Sequence, residues 1–114
     1  AATAGARHVR RSERVRDLAF LSWVHTQPCV ALSVEGHRCE GRIEADHSGE
    51  RPLGRKADDN TTIALCSLAH RQRTDLSGPF REFTRASMRS WLDARIAETR
   101  GLFYAIDARL CGPP

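Results

Sequence analysis

The sequence predicts a small α+β protein, and three observations carry that expectation. The chain has 114 residues, about the length of one domain with a modest core. Apolar residues recur with helical spacing at both ends, whereas the middle holds short β-branched runs broken by glycine. Cysteine and histidine gather in that middle stretch, and a metal staple is what a small core most needs.

The elements follow in order. Residues 1–11 (AATAGARHVRR) are small and basic and read as an arm. Ser12 is a candidate helix cap with Glu13 in the first turn, opening a helix over 12–27. Val15, Leu18, Leu21 and Val24 form its apolar stripe, Phe20 and Trp23 widen it, and Pro28 closes it. Residues 28–76 form the central unit. Gly36 and Gly41 mark turns there, and 30–34 with 42–45 read as two strands of a hairpin. Residues 47–60 are polar, with Gly49, Pro52 and Gly54, and form a long loop of the kind that often carries function. A β-branched run at 61–65 leads into a helix over 66–74, broken by Ser77-Gly78-Pro79. Residues 80–110 are helical. Met88, Trp91, Leu92 and Ile96 form one stripe, and Leu102, Phe103, Ile106 and Leu110 a second, with a bend or stop expected at Gly101. Both tryptophans lie on apolar stripes and read as core.

Composition narrows the function classes. Apolar residues make up 40% and charged residues 28%, which fits a folded globule and excludes wholesale disorder. No apolar run approaches the roughly 18 residues of a membrane span. The basic N-terminus lacks a following apolar stretch, so a cytoplasmic chain is expected. Net charge is +4, and Lys56 is the only lysine beside 17 arginines. Arginine is a planar fork suited to phosphate, so a polyanion is the first partner to consider, nucleic acid before membrane. A GC-rich coding sequence gives the same arginine bias. In a reducing compartment, Cys29, Cys39, Cys66 and Cys111 are expected as thiols or metal ligands rather than disulfides.

The chemistry-bearing residues lie between Cys29 and His70. Cys29-x9-Cys39 precedes Asp46-His47, and Cys66-x3-His70 follows on a helix. Cysteines that open such a unit, and a Cys-x3-His that ends it, resemble a metal-supported finger. Within it, Glu44-Ala45-Asp46-His47 is followed by Pro52-Leu53-Gly54-Arg55-Lys56-Ala57-Asp58-Asp59, then by Thr62-Ile63-Ala64-Leu65-Cys66 and His70. This run resembles the HNH nucleases (His-Me finger, ββα-metal), especially the prophage-borne group that includes the recombination enhancement nucleases. The resemblance covers roughly residues 22–74.

The resemblance implies a ββα-metal, treble-clef-like finger flanked by N- and C-terminal helices. It implies a metal-dependent DNA endonuclease or nickase. His47 corresponds to the general base that activates water. Asp46 and His70 correspond to ligands of a catalytic Mg²⁺ or Mn²⁺. Asn60 is the nearest match to the residue that orients the base, one position short of the commonest spacing, so Asp59 and Thr61 stand beside it. Cys29, Cys39 and Cys66 correspond to ligands of a structural Zn²⁺. Two departures stand out: Ala69 occupies the place of a usual ligand, and the first cysteine pair is spread to nine intervening residues. Zinc needs four ligands. His37, in the same turn as Cys39, is a candidate for the fourth, and Cys111, His25 and His70 are others.

The implied roles are chemically consistent. Imidazole can take a proton from water near neutral pH, and a hard cation can stabilise the transition state of phosphodiester hydrolysis. Adjacent strand residues point to opposite faces, so Asp46 and His47 serve one site only at a strand end or kink. Arg55, Lys56, Arg71 and Arg73 flank the site as candidate phosphate contacts, with a solvated face as the alternative. Affinity for DNA would rest mostly on phosphate contacts. Two rivals remain: a non-catalytic zinc finger that binds nucleic acid, and a protein adaptor acting through its C-terminal helices.

Overall fold

The computed structural model describes residues 14–50 and 56–111, with side chains as far as Ile106. The arm at 1–11, the Ser12 cap and Arg55 lie outside the described residues. The elements are α1 (Leu18–Val24), β1 (Ile43–His47), β2 (Thr62–Cys66), α2 (Ser67–Asp75) and α3 (Arg85–Cys111). Single 3₁₀ turns stand at Val30–Ser33, Asp59–Thr61 and Gly78–Phe80. The class is α+β, as the sequence predicts.

The two strands form an antiparallel ladder in which Ala45 faces Ala64, Asp46 faces Ile63 and His47 faces Thr62. All five residues of β2 are buried. The reason is that both faces of the strand are covered, so it reads as a continuous apolar run instead of an alternating one. Ile63 and Leu65 join Phe80, Met88, Leu92 and Ile96 in one cluster. Ala64 joins Phe20 and Val24 of α1 in another, against which Trp23 and Phe103 pack. The long α3 thus closes the core along its first half and reaches α1 with its second.

Several expectations change. The first helix begins at Leu18 instead of residue 12, with the Asp17 carboxylate accepting from the Phe20 N–H at 3.1 Å. Upstream backbone is diverted: the Val15 N–H donates to Asp58 Oδ1 at 2.8 Å, and the Asp59 N–H donates to the Val15 carbonyl at 2.9 Å. These bonds, with that from the Asp17 N–H to Asp59 Oδ2 at 2.8 Å, replace the helical ladder there, and Val15 and Leu18 are exposed instead of forming a stripe. Residues 30–34 are a 3₁₀ turn, not a strand, because the Leu32 and Val34 N–H groups bond to Cys29 and Ala31 of their own segment. The hairpin partner of β1 is β2, across the polar loop.

The segment that follows carries a second function of the turn. Gly41 has φ +84°, and a Cβ there would strike the Ser67 side chain. That close approach lets the carbonyls of Arg42 and Glu40 accept from the Ser67 and Leu68 N–H groups, while Cys66 Sγ accepts from Ala69. The donors at the start of α2, which no intrahelical carbonyl can reach, are thereby satisfied.

The C-terminal helix starts at Arg85, not residue 80, and runs unbroken through Gly101. The helix does not stop there, and Phe103, beyond the glycine, is held by Phe20 at 4.9 Å and Trp23 at 5.3 Å between ring centroids. Leu102, assigned to the second stripe, is exposed. Among the described residues no helix is long and apolar enough to cross a membrane.

A methyl group at Gly101 would meet nothing within 4 Å. Gly101→Ala is therefore expected to stabilise the fold by about 0.5–1 kcal/mol through the unfolded chain's lost freedom. A thermal melt with a raised midpoint checks this; a lowered midpoint would show that the helix must yield there.

Candidate metal centre and catalytic cleft

Cys29, His37, Cys39 and Cys66 converge where the 3₁₀ turn, the glycine turns and the β2–α2 junction meet. Their ligand atoms lie within 4.8 Å of one another, and together they could hold a metal ion. His37 Nε2 is 3.7 Å from Cys29 Sγ, 3.4 Å from Cys39 Sγ and 3.7 Å from Cys66 Sγ. A tetrahedral zinc with ordinary bond lengths would set nitrogen and sulfur about 3.6 Å apart. The His37 nitrogen thus lies at the spacing from each sulfur that a tetrahedral ion would need.

Protonation chemistry fits as well. Burial holds the His37 pKa below its usual value, which favours the neutral imidazole that metals bind. Burial pushes the Cys39 thiol up to about 12, reinforced by the Cys29 and Cys66 thiols beside it. Burial also opposes the Cys66 thiolate, but the N–H groups of Ala69 and Glu40, with the neighbouring thiols, bring its pKa below the ordinary value. Three adjacent thiols cannot all ionise without a cation to neutralise them. Of the candidates for a fourth ligand, the structure brings in His37. His25 Nδ1 faces the Ile43 carbonyl and His70 faces Glu44, while the Cys111 side chain lies outside the described residues. Ala69 is buried in the core.

The second constellation occupies a cleft of about 630 Å³ between β1, α2 and α3, lined by Asp46, His47, Lys56, His70, Arg73 and Arg89 among others. Strand alternation sends Glu44 and Asp46 to the α2 side. There Glu44 Oε1 lies 2.8 Å from His70 Nδ1, and Asp46 Oδ1 lies 3.6 Å from His70 Nε2. A carboxylate on one nitrogen of an imidazole fixes the tautomer whose other nitrogen can accept a metal. Asp46 and His70 thus bring one carboxylate oxygen and one imidazole nitrogen together at the wall of the cleft. Arg73 is the competing partner of Asp46: its Nε and Nη2 donate to Oδ2 and Oδ1 at 2.8 and 2.6 Å.

His47, the last residue of β1, turns the other way and meets Asp59, whose Oδ1 lies 3.0 Å from His47 Nε2. Asp59 is the partner of His47, not Asn60, whose side chain makes no hydrogen bond among the described residues. The Asp59 side chain is 1% exposed and is held by the Asp17 N–H at 2.8 Å and by Arg14 Nη2 at 3.6 Å. Burial works against its carboxylate. The Asp17 N–H, the His47 imidazole and the Arg14 guanidinium outweigh that and hold its pKa below the usual carboxylate value. An ionised carboxylate only accepts, so the nitrogen facing it carries the proton and Nδ1 is the one left to act as a base.

Lys56, Arg73 and Arg89 border the cleft. Arg71 is exposed on α2 and lines the smaller hollow beside Glu44 and His70. Sequence reasoning passed over Glu44 and Arg89. Glu44 was legible, being two residues before Asp46 on one strand face. Arg89 had no such signal: its Nη2 reaches the Ser48 carbonyl across 41 residues of chain. Comparison with protein-family models, curated proteins and solved structures finds no match.

Because the folded pKa of Asp59 is depressed, its stabilising contribution is complete above the unfolded value of about 3.9 and is lost as pH falls through the folded value. Asp59→Asn is expected to cost about 1–3 kcal/mol at pH 7. Its difference from wild type should narrow below about pH 4. Chemical denaturation of both proteins from pH 7 to 3 checks this, and a pH-independent difference would contradict it.

Proposed function

We propose that the protein is a metal-dependent DNA endonuclease or nickase of the HNH type, with a ββα-metal core stapled by zinc. The observation that carries this reading is that His47, paired with Asp59, lines one cleft with Asp46 and His70, and Lys56, Arg73 and Arg89 border the same cleft. His47 Nδ1 takes the proton of the attacking water. Asp59 fixes the imidazole and favours its protonated form once the proton has arrived. Lys56, Arg73 and Arg89 hold the phosphodiester, so affinity falls steeply with salt. A divalent cation held by Asp46 and His70 would supply charge stabilisation at the scissile phosphate and leaving oxygen. The cluster of Cys29, His37, Cys39 and Cys66 is the zinc staple in this reading and takes no part in the chemistry.

One observation favours a second reading. The bidentate Arg73 contact occupies the Asp46 carboxylate, as it would in a zinc finger that binds nucleic acid without cutting it. Supercoiled-plasmid nicking separates the two. The nuclease reading expects Mg²⁺- or Mn²⁺-dependent nicking that EDTA stops and that His47→Ala lowers by about 10²–10⁴-fold. Plasmid binding without nicking under either metal would favour the binding module.

The zinc staple has its own test. One zinc per chain is expected by elemental analysis, and chelation or Cys66→Ser should lower the melting temperature strongly, since metal binding and folding share their free energy. A chain that melts unchanged after zinc removal would rule the staple out.

A further inference from the structure

Arg73 stands between two partners that it cannot serve at once. Its guanidinium holds both oxygens of Asp46, whose side chain is only 4% exposed. The same Asp46 Oδ1 that lies 2.6 Å from Arg73 Nη2 lies 3.6 Å from His70 Nε2. A cation bridging that oxygen and His70 would sit against the guanidinium, and like charges at such a separation repel. Arg73 also lines the cleft beside Lys56, Thr74 and Arg89. A phosphodiester entering there presents paired oxygens, which match the guanidinium fork as well as a carboxylate does.

We infer that Arg73 is a substrate-responsive latch: without nucleic acid it covers Asp46, and a bound phosphodiester draws it off and opens Asp46 and His70 to the divalent cation. The inference rests on the cleft being the phosphodiester site proposed above. Nucleic acid and cation then bind cooperatively, each raising the affinity of the other by the same factor. The latch would keep the hard-metal site closed until substrate is present. Arg73 acts here through Asp46 and is a positioning residue.

The test is a Mn²⁺ titration of the zinc-loaded full chain, read by electron paramagnetic resonance of free Mn²⁺. His47→Ala is the background, so that a short DNA duplex survives. The same titration with Asp46→Asn added subtracts ions held by the DNA itself. The duplex should tighten Asp46-dependent Mn²⁺ binding at least about tenfold, which corresponds to a coupling of ordinary allosteric size. Arg73→Gln should tighten it by a similar factor without DNA and leave the duplex little more to add. Affinity that is unchanged by DNA, or that does not rise in Arg73→Gln, overturns the latch. If Arg73→Gln does not fold, Arg73→Lys, which keeps the charge but cannot clamp both Asp46 oxygens, takes its place in the same comparison. Plasmid nicking by wild type distinguishes the two levels: nicking with uncoupled Mn²⁺ binding discards only the latch. No nicking and no Asp46-dependent Mn²⁺ binding discards the nuclease reading with it.

Discussion

The meeting of Cys29, His37, Cys39 and Cys66 is the constraint on which we propose the rest of the structure rests. A sheet of two five-residue strands is marginal on its own and needs packing or a covalent or metal constraint. The cluster ties the 29–39 segment to the junction of β2 and α2. From there the glycine turn at Gly41 caps α2, and β1 is fed into its register against β2. That register fixes which side chains of β1 face α2. A one-residue slip would exchange Asp46 and His47 between faces and dismantle both arrays at once.

The two faces of β1 carry different electrostatics. On the α2 side, Glu44 and Asp46 face one histidine and one arginine, and the Asp46 carboxylate is the point of competition. On the other side, a single buried carboxylate, Asp59, gathers the His47 imidazole, the Asp17 N–H and Arg14. Asp59 therefore joins the chain entering α1 to the proposed base. Residues 14–17, before α1, thus help to hold Asp59 in place.

Much of this was legible in the sequence, and the misses have physical causes. The extended runs at 42–45 and 61–65 and the helix after Cys66 follow from composition and turn signals, whereas the family resemblance pointed to Cys29, Cys39 and Cys66, with His37 one of four candidates for the fourth ligand until the structure brought it in. The stripe of Met88, Leu92 and Ile96 follows from helical period and is buried on β2. The start of α1 was misplaced because the donors at Val15 and Asp17 find carboxylates far along the chain. The turn at Val30–Ser33 was read as a strand because β-branched residues suit both, and only the need to bring Cys29 to His37 selects the turn. Asp59 and Asn60 are equally good turn residues, and only the register, which brings Asp59 to His47, tells them apart.

The central claim is that one small chain holds two chemically distinct cation sites, a soft one that builds the fold and a hard one that serves phosphodiester chemistry. Anomalous X-ray diffraction tests it most directly, with crystals of the zinc-loaded His47→Ala chain grown with Mn²⁺ and a DNA duplex. The account predicts a zinc peak among the three cysteine sulfurs and His37 Nε2, and a separate manganese peak between Asp46 and His70 Nε2 with Arg73 on phosphate. A zinc ion that takes His70 as a ligand, or an Asp46 still clamped by Arg73 with no manganese beside bound DNA, would contradict it.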